Sequence, residues 1–349
     1  MLKTELITAL SYNKECLSKQ TLVPILSHFC LTPEQISSFN GTQGVVVDFN
    51  TGLNCSVPGE VFYSLLNSLA SEELKFVLSE TNVVIKAGKS TSKLGILPAT
   101  AFVFTPPKDY KNNLSIEVTE DFIKGIKKCL NTVNDNPTIT NQFGITLTST
   151  ALYSTDDVRI SKYSLLHKLN TNLQYLLPKT FCELLCKFSG AFTNGKMFFG
   201  KDFIIVEFDK VKLFTKVITD VKFLDYEAII KLVCAQNLVT IQIPAAIKQI
   251  IYRCEIFLKS ETDKLVKIDV AENEIEFEGA GKYGMQRESF EIVNIPNIGT
   301  FMVDIEFLGS LFENTAEFTF YRAVDKVVTI GKDDRYLQLL SSTVLETLK

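Results

Sequence analysis

Apolar and polar positions follow one order along this chain, and that order repeats three times. Each copy starts with apolar residues at helical spacing, continues through short alternating strand segments, and then gives a second helix and further strands. The first helices are predicted to begin near Thr4, Thr119 and Pro244, and the second helices near Gly59, Pro178 and Asp304. The two helices begin 55, 59 and 60 positions apart in the three copies. A period this long indicates three similar domains rather than a solenoid of small repeats.

The repeat predicts an α+β fold of three similar domains, each with two helices packed on antiparallel sheets. The predicted boundaries are 1–113, 114–236 and 237–349. A chain of 349 residues is too long for one ordinary core, which agrees with several domains. Three similar domains with more strands than helices favour a curved array, and a curved array favours a ring.

The first helix of the second copy has the clearest pattern. Thr119 is a good N-cap, and acidic residues follow it in the first turn, where the helix dipole favours them. Phe122, Ile126 and Cys129 form the apolar stripe. Lys124, Lys127 and Lys128 lie together on another face, at spacings of three and four.

The composition is that of a globular protein, with 46% apolar and 22% charged residues. No apolar run approaches the roughly 20 residues of a membrane span, and the first residues lack the core of a signal peptide. The protein is therefore expected to stay in the compartment that makes it, the cytoplasm.

The net charge of −4 is unevenly distributed. The three predicted domains hold 9 basic and 9 acidic, 15 and 13, and 12 and 18 residues in turn. None has the strongly basic balance of a protein that wraps DNA around itself. Any contact with nucleic acid must therefore come from a local basic stripe.

The eight cysteines are scattered, and several lie in apolar runs, where Cys behaves as a small hydrophobic residue. Cys182 and Cys186 share one helical face, but a zinc site needs two more ligands, and His28 and His167 show no ligand spacing. We expect buried thiols in a reducing compartment, with no metal and no cofactor.

The signals for an enzyme are poor. The GAGKYG segment at 279–284 lacks the spacing of a phosphate-binding loop and is interpreted as a hairpin turn. The pairs Asp156–Asp157 and Asp333–Asp334 suit carboxylate chemistry badly, because adjacent strand residues point to opposite faces. The chain is not expected to be an enzyme.

Five segments, taken in order, resemble the bacterial replicative sliding clamp, the β subunit of DNA polymerase III, in a diverged form that is phage-like or accessory. The resemblance implies the cytoplasm of a bacterium, or that of the host for a phage-encoded protein. VPILSHFCL resembles LPILxNxLL, and LYSTDDVRISKYSL resembles the ATDGHRLA motif. VKFLDYEAI resembles the FPDYxxV link between domains two and three, DIEFLGSLF resembles the NxxYLxDxL helix, and SKLGILPATAFVFTPP resembles the end of domain one. The chain departs from the family at Asp157-Val158, where the family has Gly-His, and at Leu224, where it has Pro. The C-terminal LLSSTVLETLK replaces an MPMRL-like end.

The resemblance implies a homodimer of three-domain protomers, joined head to tail in a closed ring. Helices would line the hole around double-stranded DNA, bound without regard to sequence, and sheets would form the rim. DNA polymerase and the clamp loader would bind through short peptide motifs. The expected subunit contact joins the segment SETNVVIKAGKS to VVTIGKDD.

Basic residues of the first helices are the predicted DNA-facing groups, with a basic loop before VPILS. Lysine suits contact with phosphates without sequence readout. The alternative is a solvated helix face. The predicted residues are Lys3, Lys19, Gln20, Lys124, Lys127, Lys128, Lys248 and Arg253.

A pocket for a partner peptide is predicted between domains two and three. By the matched motifs it is a small apolar cleft with one Arg at its rim, suited to a short extended peptide with apolar anchors. The alternatives are ordinary interdomain core and, for the Arg, a surface ion pair. The predicted residues are Thr155, Arg159, Ile160, Leu224, Ile229, Leu339 and Leu340.

A second hypothesis keeps the clamp fold without the ring. In it the protein is an interaction scaffold that does not encircle DNA and that recruits repair or transcription partners. The weak basicity and the altered C-terminus favour this alternative. A third class, a DNA-modifying or hydrolytic enzyme, lacks a set of catalytic residues.

Overall fold

The computed structural model describes residues 1–19, 22–102, 104, 109–136, 138–169, 174–190, 195–235 and 239–344. Within these ranges the chain forms seven α-helices and 23 strands, and all the strand pairs are antiparallel. The predicted mixture of helices and antiparallel sheets is confirmed. No helix in the described ranges is long and apolar enough to cross a membrane.

The helices are α1 (Lys3–Lys14), α2 (Gly59–Ser68), α3 (Glu120–Leu130), α4 (Lys179–Phe188), α5 (Tyr226–Cys234), α6 (Ala245–Leu258) and α7 (Ile305–Asn314). The strands of the first third are β1 (His28–Leu31), β2 (Gln35–Phe39), β3 (Gln43–Asp48), β4 (Cys55–Pro58), β5 (Lys75–Leu78), β6 (Asn82–Ala87) and β7 (Ser90–Gly95). The next strands are β8 (Leu114–Val118), β9 (Gly144–Leu147), β10 (Ala151–Thr155), β11 (Arg159–Ser164), β12 (Tyr175–Pro178), β13 (Gly195–Phe199), β14 (Phe203–Phe208) and β15 (Val211–Lys216). The last are β16 (Ile241–Gln242), β17 (Leu265–Ala271), β18 (Glu274–Gly281), β19 (Gly284–Glu291), β20 (Gly299–Asp304), β21 (Glu317–Arg322), β22 (Lys326–Lys332) and β23 (Tyr336–Val344).

One order of elements recurs three times: a helix, four strands, a second helix and three strands. The first helices are α1, α3 and α6, and the second helices are α2, α4 and α7. Each of the six begins within one residue of the position predicted from the apolar pattern. The predicted repeat of secondary structure is therefore confirmed.

The chain divides into two compact units, of which unit 1 comprises residues 1–123 and 183–219. Its larger sheet has eight strands in the order β4-β1-β2-β3-β15-β14-β13-β8, and its smaller sheet has the order β5-β6-β7. Aromatic residues fill part of its core: the Phe39 and Phe104 rings stack with centroids 4.6 Å apart, and Phe214 meets Phe104 edge-on at 5.3 Å. Large buried rings of this kind contribute much of the apolar stabilisation of a core.

Unit 2 comprises residues 124–182 and 220–349. Its twelve-stranded sheet runs β12-β9-β10-β11-β23-β20-β17-β18-β19, with β22 on β23, β21 on β22 and β16 on β21. Helices α6 and α7 pack on this sheet through Ile250, Ile251 and Leu308, which are almost fully buried. The boundaries of the three predicted domains stay predictions beside this division into two units.

Helix α5 lies in a segment that the sequence motifs predict to be a connection between domains two and three. Asp225 caps it, because its carboxylate accepts a hydrogen bond of 3.0 Å from the Ala228 N–H. Tyr226 and Ile230 are its buried residues, one helical turn apart. A capping Asp, apolar residues at helical spacing and packing on the sheet together accompany the nine helical residues of this segment.

Candidate DNA-facing surface and partner pocket

Helix α3 carries two free lysines on the side opposite its core stripe. Phe122, Ile126 and Cys129 are buried, as the apolar pattern predicted. Thr119 begins the helix by accepting a 3.2 Å hydrogen bond from the Phe122 N–H at its side-chain oxygen. Lys124 and Lys127 are exposed and have no ion pair within the described part of the chain. They can therefore contact an external anion.

Lys128, on the same helix, is already engaged. Its Nζ donates to the Asn314 carbonyl oxygen at 2.5 Å and to Asp333 Oδ2 at 3.1 Å, and it lies 4.8 Å from the centre of the Tyr336 ring. The Asp334 backbone N–H, followed by the Lys128 ammonium, holds the pKa of the Asp333 carboxyl below its usual value. This ion pair leaves Lys128 little charge to offer to DNA.

Two more of the predicted cations have intramolecular partners. Lys3 Nζ donates to the Leu69 carbonyl oxygen at 2.7 Å. Arg253 forms a two-pronged ion pair with Glu288, with N–O distances of 2.7 and 3.0 Å. Lys19 and Lys248 are exposed, like Lys124 and Lys127. Gln20 lies outside the described residues.

The predicted pocket residues lie on two opposite faces of strand β11. Ile160 is directly opposite Thr155 on β10 and Leu339 on β23, so these three side chains share one face of the sheet. Arg159 is directly opposite Leu340, and both point to the other face. The structure therefore brings together only part of the predicted set.

The face with Ile160 is an apolar surface covered by α5 and the segment before it. Ile160 and Leu224 are partly buried against Tyr153, Tyr226 and Leu339. The Tyr153 and Tyr226 rings stack with centroids 4.9 Å apart. Ile229 lies on the outer side of α5 and is 37% exposed, so it is the predicted pocket residue most open to a partner.

On the opposite face, Arg159 is buried and paired. Its Nε and Nη2 donate to Asp156 Oδ2 at 2.8 and 2.7 Å, and its Cζ lies 3.7 Å from the centre of the Phe307 ring. Leu340 is fully buried in the apolar core that contains α6 and α7. Of the alternative interpretations from the sequence, core describes the environment of Leu340. The ion pair of Arg159 is present, but it is buried and not on the surface as that alternative expected.

A cleft of about 430 Å³ opens beside this apolar face, with Thr148, Tyr153, Phe223, Leu224 and Glu227 in its lining. The Tyr153 hydroxyl and Lys162 Nζ both donate to the Glu227 carboxylate. Burial opposes ionisation of Glu227, yet these hydrogen bonds hold its pKa below the usual value. Burial also raises the pKa of Tyr153, so the cleft presents a neutral phenol beside a carboxylate.

Sequence reasoning missed Tyr153, Phe223 and Tyr226 as part of this surface. The alternation of strand β10 carries a signal for Tyr153, since it is two residues from Thr155 and so points to the same face. The spacing of Tyr226 and Ile230 carries a signal for Tyr226, because residues four positions apart in a helix lie on one face.

The carboxylate pairs considered for catalysis have structural partners. Asp156 binds Arg159, and Asp157 accepts a hydrogen bond from the Gln142 amide in a turn where its φ is 73°. In the ranges that the structure describes, no group of three or more His, Cys, Asp or Glu side chains could hold a metal ion. Cys182 is buried and Cys186 is partly exposed.

Comparison with known proteins gives a match only at the level of structure. No protein-family profile and no curated protein matches the sequence. Among solved structures, the Caulobacter crescentus β sliding clamp is similar over 99% of this chain and 98% of its own, with a TM-score of 0.86 and 16% identity.

Two further solved structures agree. A DNA polymerase III β subunit from Eubacterium rectale covers 98% of both chains, with a TM-score of 0.85 and 14% identity. The DNA polymerase III β subunit from Pseudomonas aeruginosa covers 99% of both chains, with a TM-score of 0.83 and 15% identity. This chain has the sliding-clamp fold. The resemblance read from five degenerate segments is confirmed for the fold along nearly the whole chain.

Proposed function

We propose that the protein is a non-enzymatic processivity clamp. Two copies, joined head to tail, form a ring around duplex DNA and tether a replicative polymerase to it. The match in fold to β subunits over 98–99% of the chain supports this proposal. The observation that carries it is a pattern of strand pairing between successive repeats. The pattern occurs twice within the chain, and the strands that would form it a third time have free edges.

The pattern joins the third strand of one repeat to the last strand of the next repeat. Within unit 1, β3 pairs with β15 from Val47↔Val211 to Gln43↔Thr215. Within unit 2, β11 pairs with β23 from Arg159↔Leu340 to Tyr163↔Tyr336. Both junctions are antiparallel ladders five residue pairs long.

Two edges of matching type are left over. Strand β19 is the third strand of its repeat and ends its sheet, and β7 is the last strand of its repeat and ends the three-stranded sheet. Applied once more, the pattern joins β19 of one copy to β7 of a second copy. Two such junctions close a head-to-tail dimer, since each copy offers one edge of each kind.

This pairing replaces part of the subunit contact expected from the sequence. The expected segment VVTIGKDD lies largely in β22, which is hydrogen-bonded to β21 on one side and to β23 on the other. A strand paired on both sides has no free backbone groups for a second copy. The free edge of the last repeat is β19.

The central hole would meet DNA through few free cations. Lys19, Lys124, Lys127 and Lys248 are exposed, and the other described cations of the predicted set have intramolecular partners. A closed ring need not hold DNA tightly, because the topology keeps it on the duplex. Weak contact with phosphates is compatible with sliding.

The partner peptide would bind the apolar surface of unit 2 around Ile160, Leu224 and Ile229. Polymerase and clamp loader would each present apolar anchors to it in turn. Arg159 and Leu340 belong to the support of this surface rather than to its lining, because they occupy the opposite face of the sheet.

The test of the proposal distinguishes a ring that encircles DNA from a protein that is held on DNA by charge alone. The protein is incubated with a nicked circular plasmid at low salt, the plasmid is isolated at high salt, and one cut then linearises it. We expect the protein to stay on the circle and to leave the linear DNA. Electrostatic binding would be lost at high salt from both forms.

The scaffold hypothesis keeps one observation in its favour. Lys3, Lys128 and Arg253 are held by intramolecular partners, which lowers the charge available for encircled DNA. Under this hypothesis the protein does not stay on the circular plasmid at high salt, while a partner peptide still binds.

A further inference from the structure

The outer edge of strand β5 in unit 1 is uncovered, whereas the equivalent strands of the other repeats have a covering strand. Strand β13 is paired along its whole length by β8, from Gly195↔Val118 to Phe199↔Leu114. Strand β21 is paired by β16 at its first two residues. Strand β5 pairs only with β6.

Residues 1–3 pair with the segment that leads into this edge. Met1 and Leu74 exchange hydrogen bonds of 3.0 and 3.2 Å, and the Lys3 N–H donates to the Glu72 carbonyl oxygen at 2.8 Å. Beyond Leu74, the four residues of β5 have no strand on their outer side among the described residues.

The hairpins β5–β6 and β13–β14 have the same pairing register. The Ser79 N–H donates to the Asn82 carbonyl oxygen just as the Gly200 N–H donates to the Phe203 carbonyl oxygen. Counting back from these turns, Lys75 corresponds to Lys196 and Leu78 to Phe199. The intermediate positions give Phe76 for Met197 and Val77 for Phe198.

The missing cover changes how far these side chains are exposed. Phe198 and Phe199 are 4% and 6% exposed beside β8. Val77 and Leu78, at the corresponding positions of β5, are 52% and 41% exposed. Large apolar side chains on an uncovered strand edge mark a place where another strand can add.

Backbone groups on this edge also lack partners. The Leu74 N–H points outward to Met1 and the Ser79 N–H points inward to Asn82. Because direction alternates along a strand, the N–H and C=O groups of Phe76 and Leu78 point outward. They offer two donors and two acceptors to an added strand.

Charge indicates what kind of strand fits. In the covered repeat, Lys196 lies between Glu207 on β14 and Glu117 on β8. In the uncovered repeat, Lys75 lies directly opposite Lys86, which is a destabilising pair of like charges. No acidic partner of Lys75 or Lys86 is found in the described ranges, so the sheet lacks a carboxylate where β8 supplies Glu117.

We propose that the β5 edge is a docking site for an extended acidic segment of a partner protein, which adds as an antiparallel strand. The segment places apolar residues opposite Phe76 and Leu78 and an Asp or Glu opposite Lys75. Glu73 and Glu80 lie beyond the two ends of the uncovered stretch and would repel an acidic residue placed there. The acidic residue of the partner segment is therefore placed opposite Lys75. A second copy is disfavoured, since pairing β5 with β5 would bring two lysine-bearing faces together.

The test uses a peptide with the sequence of residues 113–119, NLSIEVT, which carries the covering strand of the second repeat. A fluorescent form is titrated into the full-length protein and its anisotropy is measured. A second peptide carries Glu117→Lys. We expect the acidic peptide to bind about three- to tenfold more tightly than the second peptide.

Two variants locate the binding on the edge. Lys75→Glu should reverse the preference between the two peptides, and it should not unfold the protein, because it removes a like-charge pair. Leu78→Pro removes an outward N–H and should weaken binding about tenfold. Leu78→Ile, which keeps both the outward N–H and an apolar side chain, is the matched control and should leave peptide binding unchanged.

Three outcomes would overturn the proposal. Equal binding of both peptides would show that Lys75 recognises no carboxylate. Absence of binding at about 1 mM, where even weak peptide contacts register, would show that the lysines only protect the edge from pairing. A mass that rises in wild type but not in Leu78→Pro would show that a second copy occupies the edge. The two peptide-binding results depend neither on ring closure nor on DNA.

Discussion

Lys124 and Lys127 differ from Lys128 although the three share one helix. The first two are exposed, and the third has three contacts within unit 2. A charge reversal that includes Lys128 would leave the Asn314 carbonyl and Asp333 facing a carboxylate. The surface is therefore best tested with the two exposed lysines alone.

We predict that Lys124→Glu combined with Lys127→Glu shortens the products of clamp-dependent DNA synthesis without lowering the thermal stability. The matched control is Lys201→Glu with Lys326→Glu, which makes the same change in charge at two exposed positions, in the β13–β14 turn and at the start of β22. Primer extension on a long template measures the product length. Products of wild-type length from the α3 variant would remove this surface from contact with DNA.

The pair Lys128–Asp333 makes stability depend on pH. The Asp334 backbone N–H, followed by the Lys128 ammonium, lowers the pKa of Asp333 from its ordinary value of 3.8, so these contacts stabilise the fold above that pH. We predict that Asp333→Asn lowers the free energy of unfolding at pH 7 by about 0.5 to 1 kcal/mol, since the carboxylate is partly exposed. The difference from wild type should shrink as the pH falls below 3.8 and through the lowered pKa of the folded protein.

Denaturant titrations of both proteins across this range measure the effect. A difference that stays constant down to low pH would show that Asp333 acts through packing and not through its charge. The Lys128–Asp333 contact joins residues 205 positions apart, so no local pattern in the sequence could have predicted it.

At the scale of elements, the apolar pattern predicted the six long helices because each has a buried stripe and a recognisable start. It missed α5, whose nine residues follow a connecting segment. The pattern also predicted the β18–β19 turn in place of a phosphate-binding loop, and Gly281 and Gly284 pair across that turn.

The pocket shows where motif matching and strand geometry disagree. The matched motif grouped Arg159 with Ile160, but adjacent strand residues point to opposite faces. The alternation of side chains along the segment RISKYS at 159–164 was therefore available as evidence from the sequence. The contribution of Leu339 needed the pairing of β11 with β23, which joins residues far apart in the chain.

We predict that Ile229→Asp abolishes capture of a clamp-binding peptide while the fold remains intact, because its side chain is 37% exposed. Leu232→Asp, one turn further along α5 and 72% exposed, is the matched control and should bind the peptide normally. Circular dichroism checks the fold and anisotropy measures the binding. Equal loss in both variants would assign the effect to α5 as a whole rather than to the predicted pocket.

At the scale of the whole molecule, the threefold order of elements and the mixed fold class could be predicted from the sequence. The free edges β7 and β19 could not, because the sequence does not say which strands pair. These edges depend on the junctions β3–β15 and β11–β23, each between strands more than 160 residues apart. Ring closure is therefore inferred from the strand pairing in the structure more than from the sequence motifs.

The central claim is that a second copy completes the sheet at these edges, and the solution mass tests it most directly. Light scattering behind a sizing column, across a dilution series, should give a mass near twice the 39.1 kDa of one chain. Lys93→Pro, which removes an outward N–H from β7, should shift the protein toward the monomer at the same concentrations. A wild-type monomer at all concentrations, or a trimer, would contradict the account.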